Sequence, residues 1–150
     1  MGVEQLRSFL RRHRRIGLDT SIFIYQLEAH ERYVALTDSI FSWIERAGHE
    51  AVTSTIMMTE LLVPSYRDND EGRVDDFYGL LTTYPNLGWT APDLEVADMA
   101  ARLRASYRLR TPDALQAAAA LCAQATGFVT NDPVFERIEE FETAVLDQYL

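Results

Sequence analysis

Thr111-Pro112-Asp113-Ala114-Leu115-Gln116-Ala117-Ala118-Ala119-Ala120-Leu121-Cys122-Ala123-Gln124-Ala125-Thr126-Gly127-Phe128-Val129-Thr130-Asn131-Asp132-Pro133 is the stretch that decides the fold. It predicts a helix over 111–125, with Thr111 as N-cap, Pro112 as first helical residue and Gly127 as the C-terminal stop. A strand over 127–130 and a helix over 133–140 follow. The same alternation extends outward in both directions. Upstream, strands are expected at 16–19, 51–54 and 86–90, and downstream at 143–146. Between them lie helical segments at 20–27, 31–46, 55–62 (ending before Pro64), 68–84 and 94–107. Strands alternating with helices imply a mainly parallel sheet covered on both faces. Ahead of it, Val3, Leu6 and Leu10 share one face of a short amphipathic helix over 3–14. No linker, repeat or low-complexity segment interrupts the 150 residues, enough for one domain with a substantial core.

Composition narrows the class. A content of 47% hydrophobic and 25% charged residues is that of a soluble globular protein. No apolar run approaches the roughly 20 residues of a membrane helix, and residues 1–15 lack the apolar stretch of a signal peptide. No membrane association and a cytoplasmic location are therefore expected. A single cysteine, Cys122, excludes an internal disulfide and a cysteine-based zinc site. The net charge of −9 argues against broad, non-specific nucleic-acid affinity. Positive charge is nonetheless clustered, in Arg7, Arg11, Arg12, Arg14 and Arg15 and again in Arg102, Arg104, Arg108 and Arg110. All 14 basic residues are arginine, which removes every mechanism that needs an amine.

Four acids fall at element junctions. Asp19 ends the first expected strand, where open α/β sheets bind ligands; it equally serves as a cap for the next helix, with the Ser21 hydroxyl in reach. Glu60 sits among Ile56, Met57, Met58, Leu61 and Leu62, so it must face solvent, find a partner or hold an ion. Asp113 lies in a helix first turn, where the dipole favours an anion, and the small residues after it leave room beside the carboxylate. Asp132 follows Thr130 and Asn131, three polar side chains at a strand end where a cap requires one. Each acid has an ordinary structural role available. Jointly they predict a cluster whose mutual repulsion calls for cations, and magnesium or manganese prefers such oxygen ligands. The three histidines are poorly placed to compete as ligands.

These motifs resemble those of PIN-domain ribonucleases, most closely the VapC toxins of toxin–antitoxin pairs. The resemblance rests on Leu18-Asp19-Thr20-Ser21-Ile22-Phe23-Ile24-Tyr25, on Ser54 through Thr59-Glu60-Leu61, on Leu109-Arg110-Thr111-Pro112-Asp113-Ala114-Leu115, on Phe128-Val129-Thr130-Asn131-Asp132 and on Val145 to Leu150. It implies a three-layer α/β/α sandwich with a parallel sheet in order 3-2-1-4-5. It also implies endonucleolytic cleavage of single-stranded RNA, dependent on Mg2+ or Mn2+. Asp19, Glu60, Asp113 and Asp132 correspond to the family's metal-holding quartet, and Ser21 and Thr130 to its supporting polar positions, with Asn131 beside them. A cation held there lowers the pKa of bound water and stabilises charge developing at phosphorus. Arg108 or Arg110 would grip a neighbouring phosphate through the guanidinium fork; a solvated helix face is the ordinary role for both. A homodimer and a small antitoxin partner are further implications.

Residues 1–15 form a basic helical extension ahead of the point where relatives of this kind usually begin. Haloacid-dehalogenase-type phosphatases, response-regulator receivers and P-loop enzymes all need a lysine, and the chain has none. The alternative from a different class is a non-catalytic module of the same fold that binds RNA or protein.

Overall fold

The computed structural model describes residues 2–150. In chain order these form α1 (Gly2–Arg11), β1 (Arg15–Leu18), α2 (Thr20–Leu27), α3 (Val34–Ile44), β2 (Glu50–Ser54), α4 (Thr55–Arg67), α5 (Glu71–Thr82), β3 (Leu87–Thr90), α6 (Leu94–Tyr107), α7 (Thr111–Cys122), β4 (Gly127–Thr130) and β5 (Glu142–Val145). Short 3-10 turns, Pro133–Arg137 and Leu146–Tyr149, flank β5. The five strands form one sheet in the order β3-β2-β1-β4-β5, and every pairing is parallel. The expected architecture and strand order are both present. The chain winds from β1 outward to β3, then crosses back to β4, so the order reverses between β1 and β4. A crevice opens at such a switch point, outside the carboxyl ends of the strands.

Alternation along the strands divides the interior into two cores. Ile16, Leu18, Ala51, Val129 and Ala144 face a core shared with α1, α2 and α3. Val52 and Phe128 face the other, built mainly from α6, α7 and the segment after β4. The helix α7 buries Ala114, Ala117, Ala118, Ala119 and Ala120, and these small side chains let it lie close against the sheet. Gly17 completes that approach: a Cβ there would stand 2.6 Å from both the Ala120 Cβ and the Phe128 ring.

The N-terminal helix is part of the packing rather than an appended arm. Leu6, Phe9 and Leu10 are buried. At its end the His13 ring bridges Thr126 Oγ1 (2.8 Å) and Glu142 Oε1 (2.7 Å). Arg12 grips the same carboxylate with Nε and Nη2, each at 3.1 Å. His13 thereby ties the helix to the entrances of β4 and β5.

Four local expectations are corrected. Helix α4 does not stop before Pro64 but continues to Arg67. An interior proline costs about 3 kcal/mol, yet Leu61 and Ser65 on either side are buried, and Ser65 Oγ accepts from Arg73 Nε at 2.7 Å. Tertiary anchoring on both sides holds the turn helical. The segment 133–140 is a 3-10 turn that ends at Arg137, because Phe135, Ile138 and Phe141 all dock into the second core and Ile138 turns extended to do so. Arg110, not Thr111, is the N-cap of α7 and makes no side-chain capping bond. Gln124, not Gly127, closes that helix: it takes the left-handed conformation at φ 66°, while the Ala125 N–H donates to the Ala120 carbonyl at 2.9 Å. Gly127 has another reason to lack a side chain, since a Cβ there would meet the His13 ring at 3.0 Å.

Gly17→Ala is expected to lower stability by about 1–3 kcal/mol through overpacking between β1 and α7. Urea unfolding measures it, and an unchanged midpoint would show that α7 can retreat from the sheet without cost.

Candidate active site

The β1–β4 register aligns Leu18 with Val129, which brings the residues after both strands together at the switch point. Asp19 caps α2 and is 6% exposed. Its Oδ1 accepts from the Ser21 N–H (3.1 Å) and the Ser21 hydroxyl (2.5 Å). Its Oδ2 accepts from the Thr130 hydroxyl, whose oxygen in turn accepts from the Asp132 N–H at 2.9 Å. Burial pushes the Asp19 carboxyl up to about 6; the Ser21 and Thr130 hydrogen bonds pull against that, and the nearby charge of Asp132 adds to it. The cap and the cleft wall, set out as alternatives for Asp19, are one arrangement.

The other acids stand around this buried carboxylate. Glu60, on α4, presents Oε1 to the Thr20 hydroxyl (2.8 Å) and to Gln116 Nε2 (2.6 Å). Asp113, in the first turn of α7, accepts from Arg110 Nε at 3.2 Å. Asp132 caps the 3-10 turn, with Oδ1 accepting from the Val134 N–H at 3.0 Å. All four acids, together with Ser21 and Asn131, line one open cleft of about 200 Å3. Thr130 lies beneath it, fully buried. Asn131 stitches the rim to the C-terminus: its Nδ2 donates to the Tyr25 hydroxyl at 3.0 Å and its Oδ1 accepts from the Asp147 N–H at 2.9 Å. Arg110 reaches this edge only through its pairing with Asp113, and Arg108 is not among the lining residues. Arg108 instead closes α6 in the left-handed conformation.

Thr20 and Gln116 also line the cleft, and sequence reasoning passed over both. Gln116 is 6% exposed; its Nε2 serves Thr20 (3.1 Å) as well as Glu60, and its Oε1 is buried without a protein partner. The available signal was a lone amide inside an alanine run on the buried face of α7.

Among the described residues, no three acidic, imidazole or thiol side chains close into a complete ligand cluster. Magnesium does not require one, because it keeps several waters and binds through one or two carboxylates plus substrate phosphates. The cleft offers oxygen donors only, with Asp132 close enough to raise the Asp19 pKa. That donor set fits a hydrated divalent cation.

An α/β/α layered fold with an acidic cleft at the switch point of its parallel sheet defines the class. The family model for the PIN domain matches residues 16–140, and the chain belongs to that family. Its fold is similar to that of a chain in the VapBC-1 structure from nontypeable Haemophilus influenzae, at 19% identity and a TM-score of 0.68, covering 89% of this chain and 98% of that one. VapBC2 from Rickettsia felis, bound to a DNA fragment from its promoter, is similar at 18% identity and 0.66, covering 87% and 98%. A toxin–antitoxin complex from Klebsiella pneumoniae is similar at 20% identity and 0.64, covering 87% and 97%. A search of curated proteins finds no significant match.

The Asp19 geometry makes a prediction for the metal-free protein. Between pH 3.8 and about 6 the folded state holds the Asp19 proton more tightly than the unfolded chain does. Folding stability therefore falls as pH rises through that window and levels above it. Asp19→Asn removes this titration and should gain up to about 3 kcal/mol on wild type at about pH 7 relative to about pH 4. Urea midpoints of both proteins in chelator, taken across that range, test it; parallel profiles would show that burial does not penalise this carboxylate.

Proposed function

We propose that the chain is a metal-dependent endoribonuclease that cleaves single-stranded RNA, and that it is the toxin of a toxin–antitoxin pair. The observation that carries the reading is the convergence of Asp19, Glu60, Asp113 and Asp132 on one cleft at the switch point. Asp19 and Asp132 would hold Mg2+ or Mn2+, with Glu60 and Asp113 completing its surroundings. When bound, the ion would supply an acidified water and charge stabilisation at phosphorus.

The chain's own groups do the rest. Ser21 and Thr130 fix both Asp19 oxygens, so the carboxylate is oriented before any ligand arrives, which limits reorganisation during the reaction. Gln116 and Thr20 hold Glu60 against the cleft wall, and Arg110 Nε pairs with one oxygen of Asp113. A protein partner, whether an antitoxin or a second copy, is supported by apolar side chains left on the surface of α4 and α5, where Tyr66, Tyr78 and Leu80 are each about half exposed or more. Among the described residues no helix is long and apolar enough to cross a membrane.

With manganese or magnesium, the wild type should cleave single-stranded RNA, and Asp19→Asn and Asp132→Asn should each lower the rate by about 100-fold or more. Both variants should keep a cooperative thermal transition. Cleavage by Asp19→Asn at the wild-type rate would sink the assignment. RNA binding with no metal-dependent cleavage by the wild type would instead identify a non-catalytic module. Gln116→Ala, which releases Glu60, should weaken manganese affinity by about 10- to 100-fold, read as a smaller thermal shift at a fixed manganese concentration; an undiminished shift would remove Glu60 and Gln116 from the ion's surroundings.

A further inference from the structure

A second cleft, of about 320 Å3, opens between α1 and α3. Arg7 and Arg11 line it from α1, Ser39 and Ser42 from α3, and Arg46 from the turn that follows, with Glu4 on the same wall. Glu4 is committed to Arg7 at 2.6 Å. Among the described residues Arg11 donates only to the Ser8 hydroxyl, at 3.1 Å. Arg46 has no side-chain partner among the described residues, though its backbone carbonyl accepts from Asn86. Two exposed guanidiniums without carboxylate partners thus face one cleft in a chain of net charge −9. The hydroxyls of Ser39 and Ser42 add donors beside them. Trp43 also lines the cleft, and its indole N–H is buried with no acceptor among the described residues.

Three arginines nearer the acids are used otherwise, and Arg108 does not line their cleft. Arg110 is paired with Asp113, Arg104 donates to the Leu109 carbonyl, and Arg137 donates to the carbonyls of Tyr107 and Arg108. An acidic nuclease cleft without free cations on its wall needs substrate affinity from elsewhere on the surface. Building on the nuclease reading, we propose that the α1–α3 cleft is a phosphate-binding site for the backbone of the RNA substrate. Arg11 and Arg46 fork onto a phosphodiester there, and the serine hydroxyls donate to the same group. Arg11 and Arg46 sit just ahead of β1 and β2, at the sheet edge opposite the acids. Strands of this length, at about 3.3 Å per residue, separate the two edges by roughly 15 Å, which a short single-stranded segment spans. The helix α1 lies ahead of the family-matched residues 16–140, so the extension supplies one wall of this site, and α3 with Arg46 supplies the other.

The test measures binding alone, in Asp19→Asn protein with chelator present, so that it reads independently of whether the wild type cleaves RNA. A labelled single-stranded RNA is titrated by fluorescence anisotropy over a range of salt. Adding Arg11→Gln and Arg46→Gln should weaken binding on the order of tenfold at low salt and make the plot of log K against log salt shallower by about 0.7, one single-strand phosphate contact. A charge-matched control carrying Arg67→Gln and Arg102→Gln, both exposed and away from the cleft, should retain affinity and slope. Unchanged binding in the cleft variant, or an equal loss in the control, overturns the proposal. Replacing chloride by inorganic phosphate at equal ionic strength separates the sources. A thermal shift lost in the cleft variant while RNA binding is unaffected would assign the cleft to free phosphate and overturn the RNA assignment. An acidic-peptide site would likewise leave RNA binding untouched.

Discussion

Parallel pairing of β1 with β4 is the constraint on which the site depends. The two strands are far apart in sequence, and the register that sets Leu18 beside Val129 also sets Asp19 beside Thr130. The hydroxyl of Thr130 then serves two ends at once, donating to Asp19 and accepting from the Asp132 backbone. A slip of one residue would turn Thr130 to the opposite face and leave a buried carboxylate short of a donor. Close helix packing supports the same register. Gly17 and Ala120 allow α7 onto β1, and α7 brings Asp113 and Gln116 to the cleft that β1 and β4 open.

The carboxylate at the centre works against the fold that holds it. Burial favours protonated Asp19, and three hydrogen bonds from Ser21 and Thr130 reduce that preference without removing it. A purely structural cap could sit in solvent and retain its bonds at no such cost. Strain of this kind is expected where a group is held ready for a ligand, and a cation beside Asp19 would stabilise the form that burial penalises. The same logic explains the neighbours. Glu60 lies on the exposed rim of the cleft, but its position is fixed from below by buried Gln116 and Thr20.

Strands and helices were legible in sequence because each has its own apolar period, and the acids were legible because junction positions are few. What escaped reading was set by tertiary contact. Pro64 marks a helix end by local chemistry, yet buried Leu61 and Ser65 carry the helix past it. Gly127 looks like a helix stop, but its missing side chain makes room for His13, a residue 114 positions earlier in the 150-residue chain. Gln116 was hidden by its alanine surroundings, since nothing local distinguishes a buried amide aimed at Glu60 from one facing water.

The N-terminal helix shows how one segment can satisfy two demands. Its apolar face, Leu6, Phe9 and Leu10, closes the first core, and His13 and Arg12 hold Glu142 at the entrance to β5. Those contacts fix the helix rigidly, so the arginines on its outer face are presented from a defined position rather than from a mobile arm. Rigidity matters for charge because a guanidinium already oriented loses less side-chain entropy on meeting a phosphate. A chain with 23 acidic and 14 basic residues cannot hold a polyanion by its mean field. It can do so only where cations gather without acidic partners, and the α1–α3 cleft brings Arg11 and Arg46 to one opening on those terms, whereas Arg110 beside the acids is already paired.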